Sequence, residues 1–117
     1  MPMALSEHER HRFERPVRRY IKSRRPPAHI RPELDLAYRF EGQSVEIFEI
    51  RPALQRPDET IEVSIAKATY VKRRQFWKIY WMRADLKWHR YDPLATVPSI
   101  EDFLAEINRD QYGCFFG

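Results

Sequence analysis

The chain between Leu34 and Asp92 consists of strand-like runs separated mostly by short turns, and this pattern limits the folds that the protein can adopt. In the first run, every second residue from Leu34 to Phe40 is apolar or aromatic, and the residues between them are small or charged. Such alternation is typical of a half-buried strand. Gly42-Gln43 then predicts a tight hairpin turn, because glycine adopts positive φ without strain.

Four further runs follow, rich in β-branched and aromatic residues: Val45–Arg51, Ile61–Lys72, Phe76–Arg83 and Trp88–Asp92. A polar loop at 53–60 separates the first two of these runs, and the other connections are shorter. Parallel strands need long crossover connections, whereas antiparallel strands can be joined by tight turns. The spacing therefore predicts a five-stranded antiparallel meander.

A helix is predicted on each side of the meander. Ser6 to Glu9 has the form of a capping box, and an apolar stripe runs from Phe13 to Ile21 at helical spacing. Pro16 lies inside this helix and predicts a kink or a break. The segment Arg24-Arg25-Pro26-Pro27 is expected to end the first helix, because the residue before a proline favours extended geometry.

For the second helix, Ser99 is the expected N-cap, Asp102 the capping-box acid and Gly113 the stop signal. The whole pattern predicts one α+β domain over 1–117, with a flexible N-terminus at 1–5.

Composition excludes several classes of protein. Hydrophobic residues make up 43% of the chain, which is incompatible with a disordered protein. Cys114 is the only cysteine, so no intrachain disulfide can form. The first ten residues lack the apolar run of a signal peptide, and no segment is apolar enough to cross a membrane. We therefore expect a soluble cytoplasmic protein without a membrane partner.

The net charge of +4 results from an alternation of basic and acidic blocks. Residues 8–31 and 67–90 are strongly basic, whereas 33–62 and 91–117 are acidic. The blocks can attract one another within the fold, or they can form a basic face for an anionic partner.

The segment WKIYWMRADLKWHRY, from Trp77 to Tyr91, contains all three tryptophans of the chain. If its turn is centred on Asp85-Leu86, Arg83 pairs with Trp88 across the two strands. Alternation then places all three tryptophans on one face, beside arginines that can make cation–π contacts. Two helices are too few to cover both faces of the sheet, so one face is expected to be partly open.

This face is the predicted binding surface, and the end of the first helix extends it if that helix lies on the same side. Its residues are Trp77, Trp81, Arg83, Trp88 and Arg90, with Lys22, Arg24 and Arg25 as the extension. Exposed aromatic rings stack on bases and basic side chains bind phosphates, so single-stranded nucleic acid is the expected ligand. Core packing of the tryptophans and a homodimer interface are the two alternatives.

Enzymatic alternatives rest on weaker patterns. A small metal-free ribonuclease could use His89 as general acid or base, with phosphate-stabilising and proton-transferring groups around it: Arg83, Lys67, Tyr80 and Tyr91. A metal-dependent nuclease would use carboxylates on one strand with a basic residue on the next, as in Glu46, Glu49, Arg51 and Lys67. The histidine pair His8 and His11 lacks further ligands nearby, so no metal and no cofactor is expected.

Several blocks together resemble the bacterial domain-of-unknown-function family 3024. They are Gly42-x-x-Val45-Glu46, Glu49-x-Arg51-Pro52, Ala66-Lys67-Ala68-x-Tyr70-Val71, Trp77-x-x-Tyr80-Trp81-x-Arg83-x-Asp85-Leu86-Lys87-Trp88-His89-x-Tyr91 and Gly113-Cys114-Phe115-Phe116-Gly117. The resemblance runs from about Phe13 to the end. It implies a small stand-alone bacterial cytoplasmic protein, and it implies neither an activity nor catalytic residues.

Overall fold

The computed structural model describes residues 4–117, which form two helices and one six-stranded antiparallel sheet. Helix α1 spans Glu7–Arg24 and helix α2 spans Ile100–Arg109. The strands are β1 Asp35–Glu41, β2 Ser44–Pro52, β3 Thr60–Val71, β4 Phe76–Met82, β5 Trp88–Arg90 and β6 Thr96–Val97. The α+β fold class and the order helix, sheet, helix are confirmed.

The first five strands lie side by side in chain order, as a meander does. The short strand β6 was not predicted; it pairs with β4 after a 3-10 turn at Asp92–Leu94. Between β2 and β3 the register shifts at Ile47/Phe48, where Ile65 is the extra residue of a β-bulge.

Both helices pack on the same face of the sheet, which we call the covered face. Its strand residues include Val45, Ile47, Ala66, Ala68, Tyr70, Trp77 and Ile79, and they form one core with the apolar stripes Phe13, Val17 and Ile21 of α1 and Ile100, Phe103, Leu104 and Ile107 of α2. Burying a large apolar side chain contributes roughly 1.5–3 kcal/mol, so this layer provides most of the stability. The opposite face, the open face, has no helix packed on it in the described part of the chain.

The helix termini agree in part with the sequence. The capping box between Ser6 and Glu9 is present, which confirms the predicted start of α1. Of the kink or break predicted at Pro16, the break does not occur, because α1 runs through this residue without interruption. In α2, Ser99 is the N-cap, as predicted, and its hydroxyl oxygen accepts a hydrogen bond from the Asp102 backbone N–H. The Asp102 carboxylate accepts a hydrogen bond from the Ser99 hydroxyl and not from the Ser99 backbone N–H, so the predicted capping box is incomplete.

Helix α2 ends before Gly113, at Asp110, which adopts a left-handed conformation with φ 43°. The Asp110 carboxylate accepts hydrogen bonds from the backbone of Phe115, Phe116 and Gly117. These bonds hold the C-terminal segment against the body of the protein and bury Phe115.

The first three residues of the predicted flexible N-terminus lie outside the described residues. Leu5 donates a backbone hydrogen bond to Gly42 at 3.0 Å and packs against the core. Within residues 4–117, neither helix is both long and apolar enough to cross a lipid bilayer.

Candidate functional site

The loop between β4 and β5 decides which residues share a face of the sheet. Arg83 donates its backbone N–H to the Lys87 carbonyl at 3.3 Å, so only three residues, 84–86, form the loop. Leu86 has φ 60°, the left-handed conformation that a three-residue hairpin loop requires at its last position. Met82 therefore pairs with Trp88, and Trp81 pairs with His89.

The predicted register, which paired Arg83 with Trp88, is wrong by one residue. A slip of one residue moves every side chain of a strand to the other face. Trp88 and Arg90 consequently lie on the open face, whereas Trp77 and Trp81 lie on the covered face. The predicted surface with all three tryptophans does not form.

On the covered face, Trp77 is a core residue. It is 1% exposed, and its ring contacts Phe13 and Tyr70 at centroid distances of 4.8 and 5.0 Å. Trp81 is half-buried at the end of the same strand, with the Arg83 guanidinium 5.4 Å from its ring. For these two tryptophans the packing alternative describes the structure.

The open face has a basic half, formed by the strands β3, β4 and β5 and the adjoining turn. Alternation and pairing place the following residues there: Lys67, Thr69, Lys78, Tyr80, Met82, Trp88 and Arg90, with Lys72 and Arg73 in or beside the turn. Tyr80 and Trp88 are both half-buried, so part of each ring is in contact with solvent.

Lys67 lies on β3, at the side of the basic half that borders β2, between two aromatic rings. Its ammonium group is 5.0 Å from the centroid of Tyr80 and 5.1 Å from that of Trp88. Burial lowers the pKa of Lys67, because the charged form loses water, while Glu46 and Glu41 act in the opposite direction. Neither carboxylate lies within 4.0 Å of the ammonium, and the two rings are placed for cation–π contacts with it.

A shallow depression of about 490 Å³ continues from Tyr80 toward the turn between β3 and β4. Lys72, Arg73 and Lys78 contribute to its lining, together with Gln43 and Thr69. Among the described residues, Lys67, Arg73 and Lys78 have no carboxylate within 4.0 Å. Lys72 lies 3.6 Å from Glu9, and Arg90 lies 2.8 Å from Asp92.

The acidic half of the open face is formed mainly by β1 and β2, and its single arginine offsets only part of its negative charge. It comprises Arg39, Glu41, Glu46, Phe48 and Glu62. Arg39 covers the Phe48 ring at 4.1 Å, hydrogen-bonds to Glu62 and lies 3.5 Å from Glu46. A cleft of about 190 Å³ joins the two halves, lined by Arg39, Glu41, Ser44, Glu46, Lys67 and Trp88.

The residues of the predicted ribonuclease do not meet. His89 lies on the covered-face side at the sheet end, with its Nε2 atom 2.7 Å from the Asp85 carboxylate, whereas Lys67 and Tyr80 lie on the open face. The hydrogen bond from His89 lowers the pKa of Asp85.

Tyr91 is fully buried and donates its hydroxyl to the Glu106 carboxylate at 2.8 Å. Burial and this hydrogen bond raise the pKa of Tyr91 far above its ordinary value, so the phenol stays protonated and has a structural role.

The residues of the metal-dependent nuclease are also separated. Glu46 faces Lys67 across β2 and β3, but Glu49 lies on the opposite face and binds Arg51 at 2.6 Å. Within residues 4–117, no cluster of three or more histidine, cysteine or acidic side chains could hold a metal ion.

The predicted extension along α1 does not adjoin the basic half, because α1 lies on the covered face. Arg24 packs over Phe116 at 4.0 Å and hydrogen-bonds to Asn108, and Arg25 forms a two-bond ion pair with Asp35. Lys22 is exposed on the same helix.

Lys72, Arg73 and Lys78, which line the depression, were not singled out from the sequence. The sequence signal for these residues was their position in the basic block 67–90. Within that block, Lys67, Lys78 and Tyr80 lie on the same face of the β3–β4 hairpin. That signal could not be used without the correct register of β5, which supplies Trp88.

A family model described as "Domain of unknown function (DUF3024)" matches residues 5–117. This match agrees with the resemblance found in the sequence blocks. No curated protein and no solved structure matches the chain.

Proposed function

The chain belongs to the DUF3024 family of domains of unknown function, and from this premise we propose that it is a non-enzymatic binding module for single-stranded nucleic acid. The ligand lies on the basic half of the open face. The observation that carries the proposal is Lys67 between the partly exposed rings of Tyr80 and Trp88. Arg73 and Lys78 lie nearby and form no ion pair with any residue in 4–117.

Charge and shape both favour an extended polyanion. Lys67, Arg73 and Lys78 have no carboxylate partner within ion-pair distance among the described residues, so they are available to phosphates. The depression beside them is shallow and open to solvent, whereas sites for small molecules usually enclose most of the ligand.

The aromatic residues favour a single strand over a duplex. Each base that stacks on an aromatic side chain contributes about 1–3 kcal/mol, but the bases of a duplex are already stacked on one another. Tyr80 and Trp88 are partly exposed on the open face and are not covered by either helix.

The test is fluorescence anisotropy of a labelled, mixed-sequence oligonucleotide of about 12 nucleotides, titrated with the protein at about 50 and about 200 mM salt. We expect the affinity for the oligonucleotide to fall steeply as the salt concentration rises. Unlabelled duplex DNA of the same sequence should be a poor competitor. The double variant Arg73→Glu with Lys78→Glu should abolish binding. The matched control is Arg19→Glu with Lys22→Glu, which makes the same change in net charge on the exposed side of α1 and should retain most of the affinity.

Absence of binding at the lower salt concentration would overturn the proposal. A concentration-dependent dimer that Trp88→Ala dissociates would then identify the open face as an interface between two copies of the chain.

A further inference from the structure

We infer that the cleft between the two halves of the open face selects guanine among the bases of a bound single strand. This inference rests on the proposed function and names the base that the site prefers. The cleft has a volume of about 190 Å³ and combines one aromatic ring, Trp88, with two cations and two carboxylates.

Glu46 lines the cleft, and a hydrogen bond and a neighbouring arginine position its carboxylate. Ser64 donates a hydrogen bond to Glu46 Oε1 at 2.8 Å, and Arg39 Nε lies 3.5 Å from Glu46 Oε2. Arg39 is itself fixed by Glu62 and by the Phe48 ring. A carboxylate can accept about four hydrogen bonds, so Glu46 retains capacity for two donors from a ligand.

The charges of the open face orient a bound strand. Glu41 and Glu46 repel phosphates, so the sugar–phosphate backbone runs along Arg73 and Lys78 in the basic half. The Lys67 ammonium lies over the Trp88 ring, so a base that stacks on this ring displaces the ammonium from the ring face to the edge of the base. The hydrogen-bonding edge of the base then faces Glu46 and Lys67, which line the same cleft. The cleft therefore contacts the base edge and not the backbone.

Only guanine matches this arrangement of charges. Its Watson–Crick edge has two adjacent donors, N1–H and the 2-amino group, which fit the two oxygens of one carboxylate, and the O6 acceptor beside them fits the ammonium of Lys67. Adenine and cytosine would place a ring-nitrogen acceptor next to their single amino donor, and that acceptor would face the carboxylate. Thymine and uracil have one donor between two acceptors.

The inference is tested with labelled oligothymidylates that carry one central dG, dA, dC or dT, titrated under identical salt. A two-bond contact to a base discriminates by about 1–3 kcal/mol, so we expect the dG oligonucleotide to bind about 10- to 100-fold more tightly than the others. Replacing the dG by inosine, which lacks the 2-amino group, should remove most of this preference.

The variant Glu46→Gln should bind all four oligonucleotides with similar affinity, because an amide cannot accept two hydrogen bonds side by side. The matched control is Glu49→Gln, which makes the same change on the same strand but on the covered-face side. This control should retain the preference for dG. Thermal unfolding of both variants shows whether each is folded.

Equal binding of the four oligonucleotides would overturn the guanine inference and leave nucleic-acid binding in place. If the Glu46→Gln variant is folded and still prefers dG, the cleft is not the site that recognises guanine. Failure of all four oligonucleotides to bind would overturn both the inference and the proposed function.

Discussion

The two faces of the sheet use the same residue type in different ways. On the covered face, Trp77 is surrounded by Phe13 and Tyr70 and is almost fully buried. On the open face, Trp88 lies beside the Lys67 ammonium and remains partly exposed. The covered face stabilises the fold, whereas the aromatic and basic side chains of the open face are only partly buried and can contact a ligand.

The difference between the faces originates in backbone geometry. Trp77 and Trp88 belong to neighbouring strands, and the three-residue loop at 84–86 sends them to opposite sides. A tryptophan therefore belongs to the core or to a surface according to the register of its strand. The following substitutions test this separation of roles.

The largest effect on stability is expected from truncating the buried tryptophan. Trp77→Ala should lower the free energy of unfolding by about 3–5 kcal/mol, because it removes a large apolar side chain and leaves a cavity. Trp88→Ala should cost about 1 kcal/mol or less, since its side chain already contacts solvent. Urea denaturation measures both values, and equal losses would contradict the assignment of the two faces.

For nucleic-acid affinity, in contrast to stability, a substitution on the open face should have a larger effect than one on the covered face. Trp88→Ala should weaken binding of a single-stranded oligonucleotide by about 1–3 kcal/mol, the contribution of one stacked base. Trp81→Ala is the matched control, because Trp81 is half-buried on the covered face, and it should bind like the unmodified protein. Anisotropy titrations compare the affinities of the two variants. A larger loss of affinity for Trp81→Ala than for Trp88→Ala would indicate that the ligand binds the covered face, which contradicts the proposal.

Beneath the covered face, Glu106 gives stability a specific pH dependence. Burial alone would raise the pKa of Glu106, but hydrogen bonds from Arg109, Tyr91 and Gln111 hold it below the ordinary value of 4.5. Since the folded-state pKa is depressed, the ionised carboxylate stabilises the protein above about pH 4.5, and this contribution disappears as the pH falls through the folded-state pKa.

The variant Glu106→Gln should therefore be less stable at neutral pH by about 1–3 kcal/mol. The difference from the unmodified protein should shrink as the pH falls from about 4.5 through the depressed folded-state pKa, below which both proteins lack the charge. Urea denaturation across pH 3–7 measures this difference, and subtracting the variant removes the contribution of the other carboxylates. A constant difference across that range would show that Glu106 stabilises the fold without its charge.

The smallest effect concerns the loop that separates the faces. Leu86 is exposed and adopts φ 60°, a conformation that glycine occupies without strain. Leu86→Gly should raise the free energy of unfolding by about 0.5–1 kcal/mol without changing the register. The matched opposite change is Gly42→Ala at φ 59°, where a Cβ meets no atom but the backbone becomes strained, and it should lower stability by a similar amount.

Most of the fold could be predicted because its signals are local. The capping box at Ser6, the N-cap at Ser99 and the alternation in each strand depend on residues close in sequence. The register of β5 could not be predicted in this way. The loop contains no glycine, and a leucine in the left-handed conformation gives no recognisable turn signal.

The candidate site was predicted only in part for the same reason. The sequence pattern places Trp88 and Arg90 on one face of the sheet, as the structure does, but the register shifted by one residue groups them with Trp77 and Trp81 instead of with Tyr80. Lys67 was assigned to the enzymatic alternatives, and its position between two rings depends on long-range pairing of β3 with β4. Local patterns do not contain this information.

The central claim is that nucleic acid binds the open face and not the covered face, and the indole N–H signals of the three tryptophans test it directly. In a ¹H–¹⁵N correlation spectrum titrated with a single-stranded oligonucleotide, the Trp88 signal, assigned by its loss in Trp88→Phe, should shift. The signal of buried Trp77 should stay in place, and that of Trp81 should move little. A shift of the Trp81 signal with Trp88 unchanged, or no shift at all at low salt, would contradict the account.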